Sequence, residues 1–174
     1  MEKQFQRTED GHLILMSKEE RNLLITDLTA RINYGVICLI ERVDDFGPRF
    51  RNQKLTGFCY HDDGGFYFDF GGLNVAFAEK VKPYLRPMSS MTEEEFNEFE
   101  EAFGFPFEAD YDTITKKTTV YNSIVIDKGY CVELDLDKVA LMLDWLNAHH
   151  FDYRGLIEKG LALEAPEDMY KRVI

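Results

Sequence analysis

The sequence has few cysteines and no long apolar run. Three cysteines in 174 residues, none in a Cys-x-x-Cys pair, are too few for a disulfide framework. We expect Cys38, Cys59 and Cys131 to be buried, reduced thiols that pack as small apolar groups. No apolar run approaches the roughly 20 residues that cross a bilayer, and residues 1–7 lack the apolar core of a signal peptide. These absences predict a cytoplasmic protein that does not associate with a membrane.

Positive charge is also scarce. Twenty Lys and Arg residues against 32 Asp and Glu residues leave a formal net charge of −12. Binding to a phosphate backbone takes its affinity from Lys and Arg side chains that displace condensed counterions, so we expect no direct binding to nucleic acid. An acidic protein can still inhibit a DNA-binding enzyme by imitating DNA, and this alternative stays open.

Familiar catalytic motifs are missing as well. The glycine pairs at 64–65 and 71–72 are not followed by the Gly-Lys-Ser/Thr ending of a phosphate-binding loop. No Gly-x-Ser-x-Gly or His-Glu-x-x-His pattern occurs in the chain. The sequence therefore predicts no cofactor and no catalytic residue.

Apolar and aromatic residues, by contrast, are plentiful. The chain is 45% hydrophobic and contains 14 phenylalanines and nine tyrosines, which argues against disorder. A chain of this length can bury roughly 70% of the surface that its unfolded form exposes. With no linker or repeat visible, we predict a single domain over residues 1–174.

Two capping boxes predict where helices begin. Ser17 is followed three residues later by Glu20, and Thr92 by Glu95, so each pair can satisfy two backbone N–H groups reciprocally. We predict helices from these points to about 32 and 103.

The C-terminal third is predicted to be helical. One helix begins at Asp135 or Asp137 and reaches about His149, and a short second helix runs from Asp152 to Gly160. The apolar stripe of the first comprises Val139, Met142, Leu143 and Leu146, widened by Leu141 and Trp145.

Strand patterns fill much of the remainder. Residues 36–42 contain an apolar run typical of a central strand, and 43–53 are predicted to be a loop because they include Gly47 and Pro48. An antiparallel meander is predicted at 54–60, 66–70 and 73–79, extended or turn backbone rather than helix at 82–88, and a hairpin at 122–134. The fold class is therefore α+β, a mainly antiparallel sheet of five to seven strands packed against three or four helices.

His149, His150 and Asp152 are the nearest approach to a metal-ligand cluster. Catalytic zinc takes three protein ligands and leaves one position open, so this grouping suggests a small metal-dependent hydrolase as one alternative. The competing interpretation is that the histidines hydrogen-bond the carbonyl end of the helix and stabilise it there.

A partner-binding surface is the strongest functional prediction. Tyr, Trp and Arg dominate binding hot spots because they combine large apolar area with a few directional hydrogen bonds. An equally favoured alternative is an intramolecular joint in which Arg154 pairs with Asp144 or Asp152. The residues concerned are Tyr84, Arg86, Trp145, Tyr153 and Arg154.

Three stretches carry a resemblance to a known family. Residues 82–95 and 144–169, together with the helix-to-strand junction at 30–36, resemble blocks shared by small uncharacterised proteins from gut-dwelling anaerobic bacteria and their phages. That family more often has Leu and Pro where this chain has Ile32 and Asn33, a departure that affects the turn rather than any chemistry. The resemblance implies a phage or mobile-element setting and carries over no catalytic residue.

The favoured hypothesis is therefore a non-enzymatic protein–protein interaction module with a protein partner, which in a phage setting would be a host protein. The acidic DNA mimic and the small metal-dependent hydrolase are the alternatives. The sequence holds no signal for the oligomeric state.

Overall fold

A computed structural model of the chain describes residues 16–44, 47–60, 66–72, 74–103, 108–112, 117–121 and 136–170. The hairpin predicted at 122–134 lies outside these residues. The chain divides into two compact units, the first formed by Met1–Leu85 with Arg154–Ile174 and the second by Arg86–Tyr153. The single-domain interpretation stays a prediction.

The first unit opens with helix α1, Lys18–Arg31. The Glu20 amide donates to Ser17 Oγ at 3.1 Å, and the Ser17 amide donates to the Glu20 carboxylate at 2.7 Å, so the predicted capping box is confirmed. A 3-10 turn then leads to Gly35, whose φ of 73° lies in the left-handed region that favours glycine. The glycine ends the helical segment and turns the chain into the first strand.

Nine strands occur in the described residues. They are β1 (Ile37–Asp44), β2 (Gly47–Lys54), β3 (Gly57–Tyr60), β4 (Phe66–Asp69), β5 (Val75–Phe77), β6 (Val81–Leu85), β7 (Glu108–Asp112), β8 (Lys117–Tyr121) and β9 (Leu163–Glu164).

Four of these strands form the larger sheet of the first unit, in the order β2-β1-β6-β9. The central position predicted for β1 is confirmed, and β6 contains the first part of the segment predicted to be extended or turn. The loop predicted at 43–53 is wrong, because this segment contains β2, which pairs with β1 from Ile37↔Lys54 to Asp44↔Gly47. Hydrogen bonds to β1 outweigh the weak strand preference of its glycine and proline.

The predicted antiparallel meander is confirmed as a three-stranded sheet in the order β3-β4-β5. Phe68 and Phe70, which are two residues apart, are both buried. One apolar core joins this sheet to α1 and the larger sheet. Its members include Leu24, Leu28, Cys38, Ile40, Phe68, Ala76, Val81 and Leu85.

The second unit contains helices α2, Glu93–Phe103, and α3, Leu136–Ala148, with the β7–β8 hairpin. Phe96 and Phe99 of α2 share a core cluster with Met142 and Leu146 of α3. Leu141 does not widen the buried stripe of α3, because it is 60% exposed.

The short helix predicted from Asp152 to Gly160 is wrong, since residues 153–160 form consecutive turns. Gly155 interrupts the segment with a φ of 68°, which no α-helix tolerates. The α+β class, the mainly antiparallel pairing and the helix at 136–148 are confirmed. No helix among the described residues has both the length and the apolar character needed to span a membrane.

Candidate functional site

Arg86, predicted to bind a partner, is held by contacts within the second unit. Its guanidinium pairs in bidentate fashion with Glu95, with Nη1–Oε1 and Nη2–Oε2 distances of 2.6 and 2.8 Å. Nη2 also donates to the Ser90 carbonyl at 3.1 Å, and Cζ lies 4.4 Å from the centroid of the Phe151 ring. The two charge-assisted bonds and the ring contact fix the side chain against its own unit.

Glu95 is adapted to its ionised form. Partial burial raises the pKa of its carboxyl. Hydrogen bonds from the Arg86 side chain and the Thr92 amide, together with the charges of Arg86 and His149, lower the pKa by more than burial raises it. The net result is a pKa below the ordinary value. Glu95 therefore serves both as the helix-capping carboxylate of α2 and as the counter-charge of Arg86.

Trp145 is surrounded by rings of the same unit. Its ring stacks on His149, with centroids 3.8 Å apart, and on Phe151, with centroids 5.8 Å apart. Phe99 meets it edge-on at 5.2 Å, and its Nε1–H donates to Glu98 at 3.1 Å. We call Arg86, Phe99, Trp145, His149 and Phe151 the stacked cluster.

His149 makes the helix-end hydrogen bond that was the alternative to metal binding. Its Nδ1–H donates to the carbonyl of Trp145 at 2.9 Å, one helical turn earlier. The imidazole thereby adds a second donor to a carbonyl that already accepts the His149 amide at 3.0 Å, near the C-terminal end of α3. Nδ1 is committed to this bond.

His150 and Asp152, the other metal candidates, are both buried. His150 has a φ of 60°, and its amide and that of Phe151 donate to the carbonyls of Asn147 and Leu146, which closes the end of α3. The Asp152 amide donates to the Arg86 carbonyl at 2.7 Å. Within the part of the chain that the structure describes, no group of three or more His, Cys, Asp and Glu side chains is placed to hold a metal ion.

Tyr153 and Tyr84 also take part in intramolecular hydrogen bonds. The Tyr153 hydroxyl donates to Asn147 Oδ1 at 3.1 Å. The carbonyl of Tyr84 accepts from the Tyr170 hydroxyl at 2.8 Å, and that hydroxyl accepts from the Ile37 amide at 3.0 Å. Burial raises the pKa of Tyr170, so this hydroxyl is neutral and able to donate at physiological pH.

Arg154 approaches an acidic residue of its own unit. Its pairing with Asp144 or Asp152 stays a prediction. Nε of Arg154 lies 3.4 Å from Oδ1 of Asp27. The Asp27 carboxylate also accepts two hydrogen bonds from Arg31, at 2.7 Å on Oδ2 and 3.0 Å on Oδ1. Asp27 and Arg31 are fully buried, and removing one partner of such a pair leaves an uncompensated charge. This charged group anchors α1 inside the first unit.

Cys38 lies in the apolar core of the first unit, and its thiol is unreactive. Its burial raises the pKa of the thiol, and the nearby charge of Asp27 raises it further. The thiol is therefore protonated at neutral pH and is a poor nucleophile.

An exposed aromatic surface lies on the β3–β4 hairpin of the first unit. Phe58 is 49% exposed and Tyr60 is 72% exposed, while Phe66 is half-buried between them. The Phe66 ring stacks on Phe58 and meets Tyr60 edge-on, with both centroid distances at 5.3 Å. We call Phe58, Tyr60 and Phe66 the aromatic surface.

The register of the hairpin explains how this surface arises. Tyr60 is opposite Phe66 and Phe58 is opposite Phe68, so these four rings project from one face. Phe68 reaches the apolar core, whereas Phe58 and Tyr60 extend beyond it. Phe58 and Tyr60 were not among the residues predicted to bind a partner, although their spacing of two places both rings on one face of a strand.

The opposite face of the sheet also carries rings. Tyr67 and Phe77 are opposite each other on β4 and β5, with centroids 4.1 Å apart, and Phe77 is 39% exposed. Aromatic side chains therefore lie on both faces of this three-stranded sheet.

Comparison with known proteins yields no match: no family model, no curated protein and no solved structure is similar to this chain. The case for a function therefore depends on the geometry of its own residues.

Proposed function

We propose that this chain is a non-enzymatic protein-binding module that contacts its partner through the aromatic surface. The observation that carries the proposal is the exposure of Phe58 and Tyr60, packed on either side of Phe66. Large exposed apolar groups that lie together, rather than singly, are typical of interaction sites, because covering them removes unfavourable hydration.

The arrangement of the three rings suits binding. The rings of Phe58 and Tyr60 each contact Phe66, so the free protein already restricts their conformations. A partner then has less side-chain entropy to remove when it binds. The Tyr60 hydroxyl adds a polar group that can select the orientation of the partner.

The residues first predicted to bind a partner support this choice of surface. Arg86, Trp145 and Tyr153 make contacts within the second unit, and Arg154 approaches Asp27 of the first. A partner that needed these groups would compete with the existing contacts, whereas the rings of Phe58 and Tyr60 are accessible as they stand. The resemblance to proteins of gut anaerobes and their phages adds a setting, in which the partner would be a host protein.

Site-directed photo-crosslinking tests the proposal. Tyr60 is replaced by p-benzoylphenylalanine in the full chain, which is irradiated in a lysate of gut anaerobic bacteria. The matched control carries the same amino acid at Leu141, which is also strongly exposed but lies on α3. We expect one dominant protein adduct from position 60 and none of the same mass from position 141.

Competition then assigns the adduct to the surface. Excess wild-type protein should suppress it, and a Phe58→Ser, Tyr60→Ser competitor should not. Equal adducts from positions 60 and 141, or no adduct at all, would contradict the proposal. If a Tyr153→Ala, Arg154→Ala competitor fails to suppress the adduct, the binding surface includes residues that were predicted from the sequence. If the adduct contains a DNA-binding enzyme and high salt abolishes it, the acidic DNA mimic is favoured.

A further inference from the structure

The outer edge of β2 is the second surface that invites a partner. Among the strands that the structure describes, β2 pairs only with β1 and stands last in its sheet. Its residues 48–52 are all exposed. An edge strand presents backbone N–H and C=O groups that a further strand can bind. Pro48 has no N–H, so such pairing begins at Arg49.

The charge of β2 is opposite to that of the whole chain. Its sequence, GPRFRNQK, contains Arg49, Arg51 and Lys54 and no acidic residue, in a protein whose formal net charge is −12. At physiological ionic strength charges are screened over about 8 Å, so a ligand lying on the strand responds mainly to these nearby cations.

The register gathers the arginines on one face of the hairpin. Arg42 of β1 is directly opposite Arg49, and Arg51 follows two residues further along β2 on the same face. Arg42 donates to the neutral amide oxygen of Asn74 at 2.6 Å. Phe50 projects from the other face of β2 and is 43% exposed.

We propose that the outer edge of β2 binds an extended acidic peptide by adding it as a further strand. Acidic side chains at alternate positions of the peptide lie beside Arg49 and Arg51, and the residue between them, which is apolar, lies beside Phe50. Main-chain hydrogen bonds supply affinity, and the alternation of charge supplies specificity. This inference rests on the proposed function only in assigning a protein partner, because it concerns a different surface.

Self-association through the same edge is disfavoured. Two copies pairing antiparallel about Phe50 would place Arg49 of each copy opposite Arg51 of the other, and like charges directly opposite each other destabilise a sheet. The edge of β2 therefore favours an acidic strand over β2 of a second copy of the chain. Charged side chains commonly protect exposed edge strands from aggregation in this way.

The test measures binding of fluorescein-labelled peptides to the full chain by fluorescence anisotropy. The probe is an eight-residue peptide of alternating aspartate and leucine, and its control has the same composition with all aspartates preceding all leucines. A third peptide keeps the alternating sequence but has every second backbone amide N-methylated, which removes donors without changing charge. We expect the alternating peptide to bind about tenfold more tightly than either control peptide.

Two protein variants with the same change of charge locate the site. Arg51→Glu should weaken binding about tenfold, whereas Lys159→Glu, at an exposed position of the same unit, should change it by less than about twofold. Arg51→Gln should give an intermediate loss. The Phe58→Ser, Tyr60→Ser variant should bind the peptide as wild type does. Peptide binding at β2 can therefore be tested independently of partner binding at the aromatic surface.

Several results would overturn the inference. If the blocked-order or the N-methylated peptide bound as tightly as the probe, attraction by charge alone would explain the binding. Equal losses from Arg51→Glu and Lys159→Glu would remove the site from β2. Tighter binding of a single-stranded oligonucleotide, or a dimer in sedimentation that Arg51→Glu dissociates, would assign the edge to nucleic acid or to a second copy.

Discussion

The stacked cluster and the aromatic surface are built from similar residues and have opposite relations to solvent. In the stacked cluster Phe151 is fully buried and Trp145 meets three other rings. In the aromatic surface Tyr60 meets one ring and is 72% exposed. The first arrangement stabilises its unit, because the rings of Phe99 and Phe151 are already out of water. The second leaves apolar area that only a further molecule can cover.

The stacked cluster and the aromatic surface also differ in whether charged side chains contact their rings. Arg86 lies over Phe151 and is paired with Glu95, so a cation, a ring and a carboxylate form one connected group. No ion pair is described at the aromatic surface. Residue type alone therefore does not distinguish a hot spot from an internal joint; the surroundings of each ring do.

Phe151→Ala should have the largest effect. Truncating a fully buried phenylalanine costs about 3–5 kcal/mol, through lost transfer free energy and the cavity that remains. Urea unfolding followed by the fluorescence of Trp145, the single tryptophan, would measure the loss in the second unit. A loss similar to that of Tyr60→Ala, the exposed control, would contradict the contrast between the clusters.

Arg86→Met should cost about 2 kcal/mol, because the half-buried Glu95 carboxylate would lose its charged partner while the apolar contact with Phe151 is partly kept. Arg86→Lys should cost less, since it restores the charge but not the bidentate geometry. The same unfolding experiment measures both variants. Equal stability of wild type and Arg86→Met would show that the pair is only a surface contact.

The stability that Glu95 contributes should depend on pH. Its folded pKa lies below the ordinary 4.5, so its contribution is fully present above that value and is lost as the pH falls through the folded pKa. Unfolding midpoints of wild type and Glu95→Gln, measured between neutral and acidic pH, should differ most at neutral pH and converge in acid. Parallel curves would exclude Glu95 as the titrating group.

Substitutions in the aromatic surface should have the smallest effect on stability. Tyr60→Ser, at a position that is 72% exposed, should change the free energy of unfolding by no more than about 0.5 kcal/mol, although together with Phe58→Ser it should abolish the photo-crosslinking competition. Circular dichroism during thermal unfolding would measure the stability. A loss above about 1 kcal/mol would mean that these rings support the fold, and would erase the difference between the two clusters.

Much of the local structure was predictable because its causes lie within a few residues. Both capping boxes join residues three apart, and the structure confirms both. The meander was readable because alternation and glycine turns are local signals. The approach of Arg154 to Asp27 was not predictable, because the two residues are remote in sequence.

Sequence alone determined the α+β class, the start of α1 and α2, and the central apolar strand β1, since periodicity and capping act over short distances. Tertiary structure decided that residues 47–54 form a strand and that Phe58 and Tyr60 lie outside the core. It also decided that Arg86 and Trp145 contact their own unit. The physical reason is that hydrogen bonding between strands and the burial of a ring depend on residues far away in the chain, and no local pattern records which of them will meet.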